Sequence, residues 1–234
     1  MKKKIKEKLK KKVVDEEIEI IPAILKTTFE AIENNWNKVE SAVSHIQVDI
    51  SDGVFAGDGT FRIIPWLSRL MNCEKLELHL MVHNPAFFVD EIINLKPARC
   101  IFHLEAFADA GSINAVYTNL RNRTDCELGL AINPGTPNKR LDEYMGLIDF
   151  VQFMGIVPGW TNQPLVPDVF NKIIDFKENY QDIPVAVDGH VNKETIGEYV
   201  RSGARRICAA TAIFAQGNPE ENITQLKLLA EAEL

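Results

Sequence analysis

Ile20-Ile21-Pro22-Ala23-Ile24-Leu25 is the first apolar run of the 234-residue chain, and no G-x-G-x-x-G fingerprint follows it. An open, doubly wound sheet that binds a dinucleotide carries that glycine cluster at its first strand-to-helix turn. The missing glycines therefore decide between two architectures that share one βαβ alternation. Strand character covers Glu17 to Leu25, His45 to Asp49, Lys75 to Met81, Arg99 to Leu104, Glu127 to Ile132, Phe150 to Met154, Pro184 to Asp188 and Arg205 to Ala209. This pattern predicts a closed (β/α)₈ barrel, the TIM-barrel architecture, as a single domain over residues 17–234.

Between these runs, helical spacing is expected at Phe29 to Val39, Phe87 to Leu95, Val169 to Tyr180, Lys193 to Arg201 and Pro219 to Ala232, where apolar residues recur at three and four. In the second of these, Phe87, Phe88, Ile92 and Leu95 are expected to share one buried stripe. No Gly-, Pro- or Ser-rich linker divides the chain.

With 46% hydrophobic residues, the length suits one sizeable core. No segment approaches the roughly 20 apolar residues a membrane span needs, and no apolar h-region follows the basic start, so a cytoplasmic protein is expected. Cys73, Cys100, Cys126 and Cys208 form no C-x-x-C pair, and buried thiols are expected rather than a zinc site or disulfides. Of the 26 basic residues, eight are lysines between Met1 and Lys12, beside Glu7; the rest of the chain keeps 18 basic against 32 acidic residues. That acidic body argues against a nucleic-acid-binding surface. The Lys-rich arm, residues 1–16, reads as a solvated segment without assigned function.

In a parallel barrel, reacting groups sit at the C-terminal ends of strands. Side chains alternate along a strand, so Gln47 and Asp49 share one face, as do Glu77, His79 and Met81. Asp188 closes the apolar run Val185-Ala186-Val187. Each has an ordinary alternative: a strand-end aspartate is often a turn former or helix cap, and a lone histidine is often a satisfied core residue. Together, two carboxylates reaching a ligand from strands two and seven, with His79 beside them, suit two-base proton transfer next to a carbonyl. A cation held by Asp49, His79 and Asp188 would stabilise the resulting ene-diolate.

These motifs, in this order, resemble the ribulose-phosphate 3-epimerase family of the pentose phosphate pathway. The resemblance rests on Ile21-Pro22-Ala23-Ile24-Leu25, Val48-Asp49-Ile50-Ser51-Asp52-Gly53-Val54-Phe55, His79-Leu80-Met81-Val82, Asn133-Pro134-Gly135-Thr136-Pro137, Met154 through Pro158-Gly159 to Gln163, Val187-Asp188-Gly189 and Ala212-Ile213-Phe214. It implies that Asp49 and Asp188 are acid/base residues that also bind a divalent metal (zinc, manganese or iron), and that His79 is a metal ligand. Met81 and Met154 would line the pocket, with core packing as the other reading, and the chain would form a homo-oligomer.

The chain also departs from that pattern. A second metal-ligand histidine of the family is Gln47 here, and an amide oxygen is a weaker ligand than imidazole for a borderline metal. His45 lies one pleat deeper along the same face. Where the family uses glycine amides to approach a phosphate, this chain has Trp160-Thr161-Asn162, Gly189-His190 and Ala209-Ala210-Thr211; Gly189 remains, and Thr211, His190 or Asn162 is left to donate instead. Ala23 replaces a serine. The resemblance implies an epimerase inverting C3 of D-ribulose 5-phosphate to D-xylulose 5-phosphate. The alternative is a catalytically silent barrel that binds a metabolite or partner. A sugar-phosphate decarboxylase or aldolase would want a lysine near the carboxylates, and none lies in residues 47–53, 77–81 or 185–190.

Overall fold

The computed structural model describes residues 17–159 and 163–234; the Lys-rich arm, residues 1–16, and Trp160, Thr161 and Asn162 lie outside the described residues. Eight parallel strands close into a barrel in sequence order: β1 (Glu19–Ile24), β2 (Ile46–Ser51), β3 (Leu76–Met81), β4 (Arg99–His103), β5 (Glu127–Ile132), β6 (Phe150–Met154), β7 (Val185–Asp188) and β8 (Arg206–Ala209). Each expected strand is present, with its ends moved by at most two residues. β2 runs on to Ser51 because β3 continues to pair with it there, Ser51 opposite Met81.

The helices are α1 (Phe29–Trp36), α2 (Val89–Leu95), α3 (Ala110–Arg123), α4 (Asp168–Asn179), α5 (Ile196–Ser202), α6 (Thr211–Phe214) and α7 (Pro219–Glu231). Their apolar faces pack on the outward strand residues; Ile32 and Trp36 of α1, Ile92 of α2, Leu120 of α3 and Ile173 of α4 are all buried. Two expected helices start late. Phe87 lies in a 3₁₀ turn before α2, is 80% exposed and does not join the stripe. Residues 193–195 form a turn, because the Asn192 carboxamide oxygen accepts from the amides of Glu194 and Thr195, each at 3.0 Å.

The barrel interior is layered. At the bottom, Arg99 reaches Glu19 at 2.9 Å, Glu77 at 3.1 Å and Glu127 at 2.9 Å, and Arg206 reaches the other oxygen of Glu127 at 2.9 Å. His45 pairs with Glu19 at this end, away from the mouth. Above lie Ile101, Ala131, Phe150 and Ala186. Gly129 makes room there, since a Cβ on it would stand 2.4 Å from the Phe150 ring. Ile21, Ala23 and Cys208 fill the neighbouring part of the interior. The polar residues at the strand ends thus stand on a closed floor.

Candidate active site

Asp49 stands near the C-terminal end of β2 and Asp188 ends β7, and both line one cavity of about 320 Å³ at the mouth. They converge on two shared partners. His79 Nδ1 lies 2.9 Å from Asp49 Oδ1 and 3.3 Å from Asp188 Oδ2. The amide nitrogen of Gln47 donates to the same two oxygens, at 2.8 Å each, and lies 3.4 Å from His79 Nδ1. On its other side, the Gln47 oxygen accepts from the Cys208 thiol at 3.2 Å. Strand register builds this group: Asp49 is paired with His79 across β2 and β3, and Asp188 with Cys208 across β7 and β8.

Electrostatics follow from burial. Asp49 has its pKa pushed up by loss of water and by the charge of Asp188, against the hydrogen bonds from His79 and Gln47. Burial alone would lower the pKa of His79, yet hydrogen bonds and charge from the two aspartates lift it to about 10. Burial also drives the Cys208 thiol well up, so it remains a protonated donor.

Behind His79 lies a second tier that the sequence reading passed over. His79 Nε2 is 2.8 Å from His103 Nε2, and His103 Nδ1 is 3.1 Å from Asn133 Oδ1. Burial lowers the pKa of His103, so the network assigns its one proton to Nδ1, donating to Asn133, while Nε2 accepts from His79. Glu105 completes the tier, accepting from the Asn133 amide at 2.9 Å and from the Thr136 hydroxyl. His103 ends the apolar run of β4 just as Asp188 ends β7, so the signal was present.

The remaining expected residues divide. Met81 and Met154 are buried side chains that line the cavity, with Ala23, Gly189, His190 and Thr211. Gly189 adopts φ +109°, and a Cβ there would lie 2.7 Å from Ile156, so only glycine suits the turn. His190 follows with φ +54°. Its Nδ1 lies 2.9 Å from the Gln163 carbonyl oxygen, so a proton there is committed to the loop.

Asp49, His79 and Asp188 also form a candidate metal group, with their donor atoms all within 4.8 Å of one another. Two carboxylate oxygens and an imidazole nitrogen suit a divalent cation by type. The fourth side is different, because Gln47 turns its N–H groups inward, and an amide nitrogen that donates is no ligand.

Known proteins share this fold and sequence. A 3-hexulose-6-phosphate synthase superposes with a TM-score of 0.69, covering 91% of this chain and 99% of that one at 15% identity. The orotidine 5′-monophosphate decarboxylase from Sulfolobus solfataricus gives 0.62 at 14% identity, with 93% and 99% covered. At those identities the likeness concerns the barrel alone. Sequence relatives are closer. Ribulose-phosphate 3-epimerase from Methanocaldococcus jannaschii is 31% identical, covering 93% of this chain and 92% of the relative. The Candida glabrata protein of the same name is 28% identical over 92% and 93%. The model of the ribulose-phosphate 3 epimerase family matches residues 19–214, nearly the whole described barrel, and the chain belongs to that family.

Proposed function

We propose that this chain inverts C3 of D-ribulose 5-phosphate to give D-xylulose 5-phosphate, using Asp49 and Asp188 as its acid/base pair. The observation that carries the reading is the convergence of the two carboxylates, from β2 and β7, on one cavity of about 320 Å³, within the usual range for a small-ligand site. One carboxylate takes the C3 proton, the electrons move toward the C2 carbonyl as an ene-diolate, and the other carboxylic acid returns a proton to the opposite face. Reversal exchanges their roles. The raised pKa of Asp49 suits the partner that holds a proton.

Around this pair, the Met81 and Met154 thioethers would lie beside the delocalised intermediate without competing for its protons. The phosphate end would be formed by Gly189, His190 and Thr211. Asp49, His79 and Asp188 are the side chains that would hold a divalent cation such as zinc, manganese or iron, which when bound would stabilise ene-diolate charge. The barrel lacks a lysine at these strand ends, which sets it apart from Schiff-base chemistry on similar folds. A catalytically silent barrel is disfavoured, since such a protein has no need to hold two carboxylates against each other in a buried site.

The test is exchange of the C3 proton of ribulose 5-phosphate in deuterated water, followed by NMR. The native chain is expected to exchange that proton and form xylulose 5-phosphate, and Asp188→Asn to lose roughly 10²- to 10⁴-fold in rate. Equal rates in both proteins would remove Asp188 from the mechanism.

A further inference from the structure

A cation between two catalytic carboxylates holds together groups that would otherwise repel. Here that place is bordered by a side chain able to do the same. One nitrogen, Gln47 Nε2, donates to Asp49 and to Asp188 at 2.8 Å each. Carboxylate oxygens accept and the amide oxygen cannot donate, so the orientation of the carboxamide is dictated from this side.

It is dictated from the other side as well. Gln47 is fully buried, and its oxygen receives the Cys208 thiol at 3.2 Å. Turning the amide to present its oxygen to a cation would break both bonds to the aspartates. It would also leave N–H groups against a thiol sulfur, a weak acceptor, at a position without solvent exposure. Backbone pairing leaves little room for another arrangement, because Gln47 is set between Ala23 of β1 and Glu77 of β3. The thiol, the amide and the carboxylates make one connected chain from β8 through β2 to β7.

We propose that Gln47, beside His79, ties Asp49 to Asp188 in place of a metal cation, so that the pair is positioned without metal and the chain binds divalent cations weakly. The inference rests on the acid/base assignment above and concerns what holds that pair. Cation binding and amide bonding then compete for the same carboxylate oxygens. Gln47 acts here as a positioning residue.

The experiment uses the full chain, stripped with a chelator and dialysed, as native protein and as Gln47→His. Calorimetric titration with Zn²⁺ and with Mn²⁺ is expected to show Gln47→His binding Zn²⁺ roughly 100-fold more tightly than the native chain. Stripped native protein is expected to keep its C3 exchange within about twofold when chelator is present. Native protein that binds Zn²⁺ as tightly as Gln47→His would overturn the proposal. So would a roughly 100-fold loss of exchange on stripping that Zn²⁺ restores; this arm needs no variant and stands even where Gln47→His does not fold. Absence of C3 exchange in every form would defeat the epimerase reading alone, and the Zn²⁺ titrations would still decide for or against the Gln47 tie.

Discussion

A histidine whose two ring nitrogens are both committed has its orientation fixed by its neighbours. His79 presents Nδ1 to the aspartates, while Nε2 meets His103 at 2.8 Å in a site with no exposure of either ring. Replacing His103 by Leu leaves a buried N–H without an acceptor, which costs about 1–3 kcal/mol. Urea unfolding of His103→Leu should show that loss, and kcat for C3 inversion should fall roughly tenfold with KM little changed, since the ring supports His79 rather than substrate. Asp188 was legible because a polar residue that closes an apolar strand stands out in one line of sequence, and Asp49 and His79 because alternation sets each on one face of its strand near the C-terminal end. Cys208 was legible only as a thiol. Its partner Gln47 lies 161 positions away, and nothing local in either strand announces a bond across the barrel.

Elements were legible to the extent that their signals are local. The periodic helices appear near their expected places, whereas α6, four residues long, is too short to carry a 3.6-residue period. Phe87 was misplaced because its spacing matches the stripe of α2 although Pro85 opens a 3₁₀ turn there. The starts of α1, α3 and α7 are set by side chains, those of Thr28, Asp109 and Asn218. At α3, the Asp109 carboxylate accepts from the Ser112 amide at 2.8 Å, and the Ser112 hydroxyl is 3.3 Å from the Asp109 amide, a reciprocal box. Asp109→Ala should therefore cost about 1 kcal/mol, and thermal unfolding should move down by roughly 2–4 °C. No change in Tm would mean that the helix is held by packing of Ile113, Tyr117 and Leu120 alone.

For the whole molecule, stability is tied to carboxylates buried at both ends of the barrel. Burial would raise the pKa of Glu19, but the His45 hydrogen bond and the Arg99 charge outweigh it and hold it at about 2. Burial opposes, in the same way, the nearby His103 ring and the hydrogen bonds from the Thr136 hydroxyl and the Asn133 backbone amide, which hold Glu105 at about 2. Both lie below the ordinary value of 4.5. Their stabilisation is thus complete above that value and is lost as pH falls from 4.5 toward 2, at most about 3 kcal/mol each. Glu77, pushed upward by burial, acts in the opposite sense and softens the decline. Urea unfolding at pH 5.5 and pH 3 should show the native chain losing stability on acidification, with Glu105→Gln losing less. An equal loss in both would place the acid sensitivity elsewhere. The sequence placed Glu77 inside the barrel, but the ion-paired cluster could be seen only once five strands had come together.

That cluster has a kinetic meaning. Arg99 and its carboxylates close the lower end, and Phe150 and its neighbours stop the shaft above them, so among the described residues the cavity has no exit through the barrel floor. Product must leave by the route the next substrate takes, and the two cannot pass. Xylulose 5-phosphate added at the start of a forward assay should accordingly act as a purely competitive inhibitor, raising the apparent KM while the extrapolated maximal rate is unchanged. A fall in that maximal rate would reveal a second place for product to lodge.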